Sequence, residues 1–464
     1  MIFEIVLKEI REHLFNLRFL LTLVLIMCMM IVCGFVFVGK YHQNLIDFRE
    51  NINQNNSQLS KASARLCDVA FQEQQLQIKA SAMELISEGG LKQLPNTFRM
   101  DTFQISLPEM IKRSNTLLPD FADVDWAFII SIILSFFALL LVYDAVSGEK
   151  VKGTLRLVQS NAISRTSVIV GKYLGAMTAL SLPLLISSLV SLLIVFLYGR
   201  ISFSLIQISQ IGLFFMAALL YLSTFISIGL LISARTQNPV TSIIYSLLIW
   251  VILVILIPNS GGTIAKELYP IPTWQQVDRQ IRDRRSEIGQ AHRNRYAQTF
   301  RWNGDPWAEW VPYRSRAVNE MADARNRMMH AYQHQMIEQI EKAQRMTAIS
   351  PTSLFASLSE KIAYTGIHRF KEFYQQAYDY RLQFKQYILD RDKTDNDSPH
   401  LLNEWHKSTI SQKPVDATGI PRFEERQMSF ESFQNALLEF SILVLFNLIF
   451  FSLAYVAFIK YDVR

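Results

Sequence analysis

Residues 144–172 read DAVSGEKVKGTLRLVQSNAISRTSVIVGK. This is the one long polar break between two strongly apolar runs that is too short to be a domain. It carries Lys150, Lys152, Arg156, Arg165 and Lys172 against two acids, Asp144 and Glu149. A short basic loop between membrane spans belongs on the cytoplasmic side. Leu155 and Val158 have helical spacing, which predicts a short amphipathic helix at the membrane surface over Thr154–Val158.

Working outward, apolar runs of roughly the 20 residues a span needs lie on both sides of this loop. The sequence predicts an all-α integral membrane protein with six transmembrane helices at 19–39, 125–143, 173–198, 211–233, 240–257 and 437–459. Residues 1–18 read as an amphipathic cytoplasmic helix, with Phe3, Leu7, Ile10, Leu14 and Leu17 on one face. The mixed charge of that segment, and the lack of a small-x-small site before Lys40, favour an uncleaved anchor over a signal peptide. Pro258 to Gly262 reads as the end of the fifth span. Two larger segments, 40–124 and 258–435, fall outside by the six-span count, and 460–464 is a cytoplasmic tail. Lys8, Arg11, Arg18, the loop cations, Arg235, Lys460 and Arg464 then lie inside, whereas the one short outer turn carries Arg200 alone.

The bulk numbers agree with a membrane protein bearing soluble parts. The chain has 464 residues, 50% of them hydrophobic, and a mean hydropathy of +0.17. Its net charge of +6 is accounted for by the cytoplasmic bias and calls for no nucleic-acid partner. Cys28, Cys33 and Cys67 make no disulfide framework and no CxxC motif. The segment 258–435 reads as a mostly helical external domain, with helices predicted at Gln275–Phe300, Arg314–Met346, Ser353–Ile362 and His368–Arg391. The second of these sets Met321, Met328, Tyr332, Met336 and Ile340 along a face, and the last sets Phe370, Phe373, Ala377, Phe384 and Ile388. These helices are expected to pack antiparallel on one another and on 40–124, where Ala64–Ile86 also has helical spacing.

The pattern Asp144, Glu149, Gly153-Thr154-Leu155, Ser160, Ile163-Ser164-Arg165 and Gly171-Lys172 resembles the coupling loop of ABC-2 type permeases, the membrane subunits of ABC exporters. The resemblance runs from about Ile2 to Pro258 and again over the last span. Ala162 stands where the family often has proline, and Lys150 where arginine commonly follows the glutamate. The resemblance implies a bacterial plasma (inner) membrane location and a path formed with a second permease subunit, identical or a sister chain. It implies an ABC ATPase partner that holds ATP and magnesium, with no cofactor on this chain. In such permeases the loop docks on the nucleotide-binding subunit, so Glu149, Gly153, Thr154, Leu155 and Arg165 are the candidate coupling surface. Glu149 either pairs with a basic residue of the partner or caps the short helix. Gly153 would permit a tight turn into the helix. The match of Ile349-Ser350-Pro351-Thr352-Ser353-Leu354-Phe355 to permeases with a large domain before the last span is shorter.

Other constellations are weaker. Gly171-Lys172 is not a P-loop, because Thr166 stands where the first glycine would be and Tyr173 where the magnesium-binding hydroxyl would be. If ATP drives this protein, the ATPase is another chain. His330, His334 and Met336 could offer imidazole and thioether ligands to copper, but no acid or cysteine completes the shell, and core methionines with a solvated histidine pair explain them better. Arg279, Arg282, Arg284, Arg285, Arg293 and Arg295 could meet lipid headgroups or an anionic cargo, yet Asp278, Asp283 and Glu287 interleave as on a salt-bridged helix face. No hydrolase signature is present. Glu439, at the outer edge of the sixth span where water reaches it, is the lone acid within a span, which argues against an ion-coupled transporter. The leading expectation is the permease of an ATP-driven exporter. The alternative is a membrane-anchored scaffold or sensor that binds a partner through its external helices.

Overall fold

The computed structural model describes residues 2–92, 94, 96–106, 124–154, 164–299, 306–426 and 436–460. Among these, six helices are long and apolar enough to cross a membrane: Leu17–Ala62, Trp126–Lys152, Arg165–Leu197, Leu205–Arg235, Pro239–Leu268 and Ala436–Ile459. They are the first to sixth spans below. The chain is an all-α membrane protein with a helical domain at one end of the bundle.

The fourth span is the axis of the bundle. It is 72% buried over its most apolar stretch, against 17% for the fifth span and 22% for the sixth. Small residues set this up, because lipid offers no hydrophobic drive and helices gain contact only by close approach. Gly229 lies so near the second span that a Cβ there would sit 2.4 Å from Val142 Cγ2. Asn447 of the sixth span donates to Leu220 O at 2.8 Å and to Thr224 Oγ1 at 2.9 Å. Its amide oxygen accepts from Ser223, which also bonds Tyr173 of the third span.

Two helix ends differ from expectation. The first span's helix does not stop near Gly39 but continues to Ala62, making it about 70 Å long at 1.5 Å per residue. Polar side chains extend it beyond the apolar run, through Gln43–Asp47 and Gln54–Glu50 bonds and the Lys40–Glu88 ion pair. The fifth span does not end at Pro258. A π-helical turn, Val251–Leu256, runs directly into helix Ile257–Leu268, so the proline lies inside one continuous helix, and Leu253 O, five residues before it, accepts from Ser350 instead. Gly261 is a packing glycine rather than a stop: a Cβ there would meet Thr347 Cγ2 at 2.6 Å.

Two short helices, α1 (Ile2–Leu14) and α2 (Ser147–Lys152), lie at one end of the bundle, and the helical domain at the opposite end contains α3 (Trp274–Thr299), α4 (Pro306–Thr347), α5 (Pro351–Ala363) and α6 (Gly366–Lys393). All four helices match their predicted positions to within a turn except for the earlier start of α4. The α6 face of Phe370, Phe373, Ala377, Phe384 and Ile388 is buried as its periodicity implies. On α4 the buried line is Ala322, Asn326, Met329, Gln333 and Ile337, beside the predicted methionine face. Counting only apolar residues shifted that face, because two members of the true one are polar. The segment 64–86 is not one helix. Leu66–Ala70 is a short helix, and β1 (Gln74–Gln77) pairs antiparallel with β2 (Thr97–Met100), Leu76 opposite Phe98. Phe98 then stacks among Phe370, Phe373 and Tyr374 at 5.6–5.9 Å, a tertiary contact that overrides local helical spacing.

Helix α5 belongs to the membrane bundle, not to the outer helices. Leu354, Phe355, Leu358 and Ile362 share one core with the spans. Ser350 caps it through Thr352 N and donates to Leu253 O in the π turn of the fifth span. Tyr221 of the fourth span donates to Ser131 O at 2.7 Å and meets Thr352 Oγ1 at 3.1 Å. Glu439 is not reached freely by water: it pairs with Lys361 of α5, and both side chains are mostly buried.

Candidate functional site

The opposite end of the bundle gathers the residues of the loop. Its described part contains α2 (Ser147–Lys152), one and a half turns that continue the second span after a break at Tyr143–Val146. The break is pinned rather than loose. Ser233 Oγ of the fourth span accepts from Val146 N and Ser147 N, each at 3.0 Å. Ser242 of the fifth span donates to Tyr143 O at 2.6 Å. Lys150 Nζ donates to Ala234 O at 2.6 Å and Thr236 O at 2.8 Å, satisfying carbonyls that the end of the fourth span leaves open. Asp144 takes both Nη groups of Arg18 at 3.0–3.1 Å, a bidentate pair at the start of the first span.

Glu149 is paired within its own chain. Its Oε1 accepts from Lys172 Nζ of the third span at 2.6 Å, and Lys172 also pairs with Glu9 Oε1 at 3.1 Å. Glu9 lies on α1 (Ile2–Leu14), which lies against the third span where Gly171 and Gly175 leave room for Ile5 and Glu9. The lysine is 4% exposed and Glu9 9%. A cation so deeply buried holds two carboxylates in place and thereby ties α1, α2 and the third span together. Leu7 and Leu14 remain exposed on α1, an apolar strip continued by Phe15, Leu17, Leu20 and Leu21. Burial lowers the pKa of His13 on the same helix, favouring neutral imidazole.

Gly153 ends α2 and stands directly before Thr154, which is again helical. It takes φ +72°, the left-handed conformation of a helix C-cap, with open space at its Cβ position. Thr154 Oγ1 reaches back to Glu149 O at 3.4 Å. Val151, Lys152, Gly153 and Thr154 are all exposed, so the tip of α2 faces away from the bundle. Leu155 and most of the predicted Thr154–Val158 helix lie outside the described residues. Arg165 points along the bundle and donates to Ile459 O at 2.6 Å, capping the sixth span. The structure thus brings Glu149, Gly153 and Thr154 together and adds Glu9, Lys172, Arg18, Asp144 and Ser233. The signal for Lys172 was in the sequence: a lysine flanked by Gly171 and Gly175 in an apolar helix needs a close partner carrying negative charge.

The weaker constellations do not converge. His330 stacks on Tyr378 at 4.3 Å and meets Tyr374 OH at 3.3 Å, while His334 turns to Glu338 at 3.3 Å. Among the described residues no group of three His, Cys, Asp or Glu side chains is placed to hold a metal. In the arginine-rich α3, Arg282 pairs with Asp278, Arg284 with Glu287 at 2.9 Å and Arg285 with Glu404 at 3.5 Å.

Six apolar spans, a short helix on the loop between the second and third, and a helical domain before the sixth define a multi-pass membrane protein. The sequence profile of the ABC-2 family transporter proteins matches residues 3–463, and the chain belongs to that family. No curated protein matches it. Members of this family are membrane components of transporters and generally carry no ATPase site of their own.

Proposed function

We propose that this chain is the permease subunit of an ATP-driven ABC exporter. Two six-span subunits would form the path, and a separate ATPase, holding ATP and magnesium, would dock on the tip of α2. The observation that carries this reading is the way α2 is anchored. A helix of six residues is bonded to the third and fourth spans through Glu149–Lys172 and Lys150–Ala234, and the turn that leads into it is bonded to the first and fifth through Asp144–Arg18 and Tyr143–Ser242. A push on its exposed tip at Val151–Thr154 is therefore passed to the membrane helices instead of being absorbed by a flexible loop. The Glu9–Lys172 pair extends the same connection to α1. The excess of basic residues at the α2 end supports a cytoplasmic placement of that end in a bacterial plasma membrane, with the helical domain outside.

The test is a pull-down of tagged chain from gently solubilised native membranes, with partners identified by mass spectrometry. The reading predicts a soluble P-loop ATPase that is lost with Gly153→Pro and retained with Gly153→Asn, which tolerates the left-handed conformation. Recovery of partners bound to the helical domain without any ATPase would overturn it in favour of a membrane-anchored scaffold.

A further inference from the structure

The fold has two hydrophobic cores joined at a waist. One core holds the spans together with Ile86, Leu358 and Ile362, and the other, in the helical domain, holds Phe98, Ile337, Ile367 and Phe370. The chain therefore crosses from core to core between Ile86 and Phe98, within α4 between Ile337 and Ala348, and between α5 and α6. Glu360, in the last turn of α5, touches all three crossings. Its Oε1 accepts from Gly90 N at 2.9 Å, its Oε2 from Gln344 Nε2 of α4 at 3.2 Å, and its backbone carbonyl from Thr365 N at 2.9 Å. Two left-handed glycines make the room for it. A Cβ on Gly89, at φ +58°, would overlap Glu360 Cγ, and one on Gly366, at φ +66°, would overlap its Oε2.

The charged groups around the carboxyl are engaged elsewhere or carry the same sign. Glu88 of the loop pairs with Lys40 of the first span's helix. Asp125, at the start of the second span, accepts from Glu88 N at 3.0 Å and Phe128 N at 2.7 Å and sets a second negative charge nearby. On α5 itself, Lys361 turns to Glu439 of the sixth span. Glu341 of α4 pairs with Lys371 of α6 at 2.8 Å. Burial lowers the pKa of His368 on α6, favouring its neutral form. Glu360 is 8% exposed and makes no ion pair among the described residues. A buried carboxyl with neutral donors, no cation and a like charge beside it favours its protonated form. Burial, aided by Asp125, raises its pKa from 4.5 to about 7. Turned over, the Gln344 amide presents its oxygen and receives the proton of the neutral acid.

We propose that Glu360 is a proton-operated latch at this waist: protonated, it clamps the loop at Gly89–Gly90, α4 and the α5–α6 turn to one another, and ionised, it lets the helical domain move against the spans. The proton comes from the solvent on the side where the helical domain lies. The clamped form holds a proton that the released form, with an ordinary glutamate, gives up. The clamp is therefore full below about 4.5, weakens about tenfold per pH unit above that and is weakest from about 7 upward. The latch is independent of the docking of an ATPase at the other end of the bundle.

The test is hydrogen–deuterium exchange of the full chain in nanodiscs, read by mass spectrometry, with labelling times matched for the intrinsic effect of pH. Between about pH 5 and about pH 8 the peptides that carry Gly90 and Gly366 should lose up to about 100-fold in protection, while the peptide that carries Tyr221 of the fourth span keeps its own. Glu360→Gln keeps the shape and cannot ionise, so it should stay protected at both pH values. Asp125→Asn keeps a helix-capping side chain and removes the like charge, and it covers the case in which the glutamine variant does not fold. Its loss of protection should level off at a lower pH than in the wild type. The proposal is overturned if wild-type protection at Gly90 and Gly366 does not change with pH, if Glu360→Gln loses protection as the wild type does, or if Asp125→Asn levels off at the wild-type pH. It is equally overturned if the Tyr221 peptide loses protection in step, which would mean that the whole fold loosens and not the waist.

Discussion

Replacing Lys172 by methionine tests the ion triad on which the anchoring of α2 rests. The substitution keeps most of the side-chain volume and removes the one cation between Glu9 and Glu149. Lys172, Glu9 and Glu149 are 4%, 9% and 21% exposed, so water cannot replace the lost partner freely. Removing one member of such a buried set costs about 3–5 kcal/mol, because the remaining carboxylates are left uncompensated and repel each other. The exposed Lys8–Glu12 pair, with both side chains 58% exposed, is the internal control. Its loss should cost no more than about 0.5 kcal/mol. Reversible unfolding by dodecyl sulfate in mixed micelles, read by tryptophan fluorescence, measures both. Adding Glu9→Gln and Glu149→Gln to Lys172→Met should restore much of the loss, since the repulsion is then gone. A loss below about 1 kcal/mol for Lys172→Met would refute the reasoning and place the triad in effective contact with water.

Three further outcomes are expected. Gly153→Val should weaken ATPase association while costing no more than about 1–2 kcal/mol of stability, because the residue is exposed and only its left-handed conformation is at stake; quantitative co-purification reads the first and the unfolding midpoint the second. Gly171→Leu should dislodge α1, since a Cβ there already meets Ile5 Cγ2 at 2.5 Å; limited proteolysis would show the N-terminal helix released, and unchanged protection would contradict the packing. Glu360 is 8% exposed and accepts from Gly90 N at 2.9 Å and Gln344 Nε2 at 3.2 Å. Burial raises its pKa from 4.5 to about 7 despite those bonds. The folded state then holds a proton that the unfolded state has released, so stability falls as pH rises from about 4.5 through 7, by up to about 3 kcal/mol. Glu360→Gln should flatten that part of the pH–stability profile, and an unchanged slope would show that the group is not the source.

Six spans and four domain helices were legible because each repeats an apolar pattern over many residues. Helix ends were not, because hydropathy marks where a helix leaves lipid, not where it stops. The polar extension of the first span to Ala62 and the continuation of the fifth past Pro258 both depend on partners distant in sequence. Helix α5 was found as a helix, but its burial among the spans follows from Ser350 and Tyr221 bonding across the bundle, which no local pattern encodes. At the loop, the sequence singled out Glu149 and Gly153 but not the intrachain contacts that hold them. Glu149 finds its cation within the same chain, 23 residues on. Gly153 closes α2, which the apolar spacing did not mark, directly before Thr154, where the predicted helix begins.

The central claim is that the tip of α2 is where a separate ATPase acts. A photo-crosslinking amino acid placed at Thr154, irradiated in native membranes, tests it most directly. The account predicts one dominant adduct to a soluble P-loop protein, absent when the same group is placed at Gln54 on the far stretch of the first helix. Adducts to lipid alone at Thr154, with the permease folded and abundant, would contradict it.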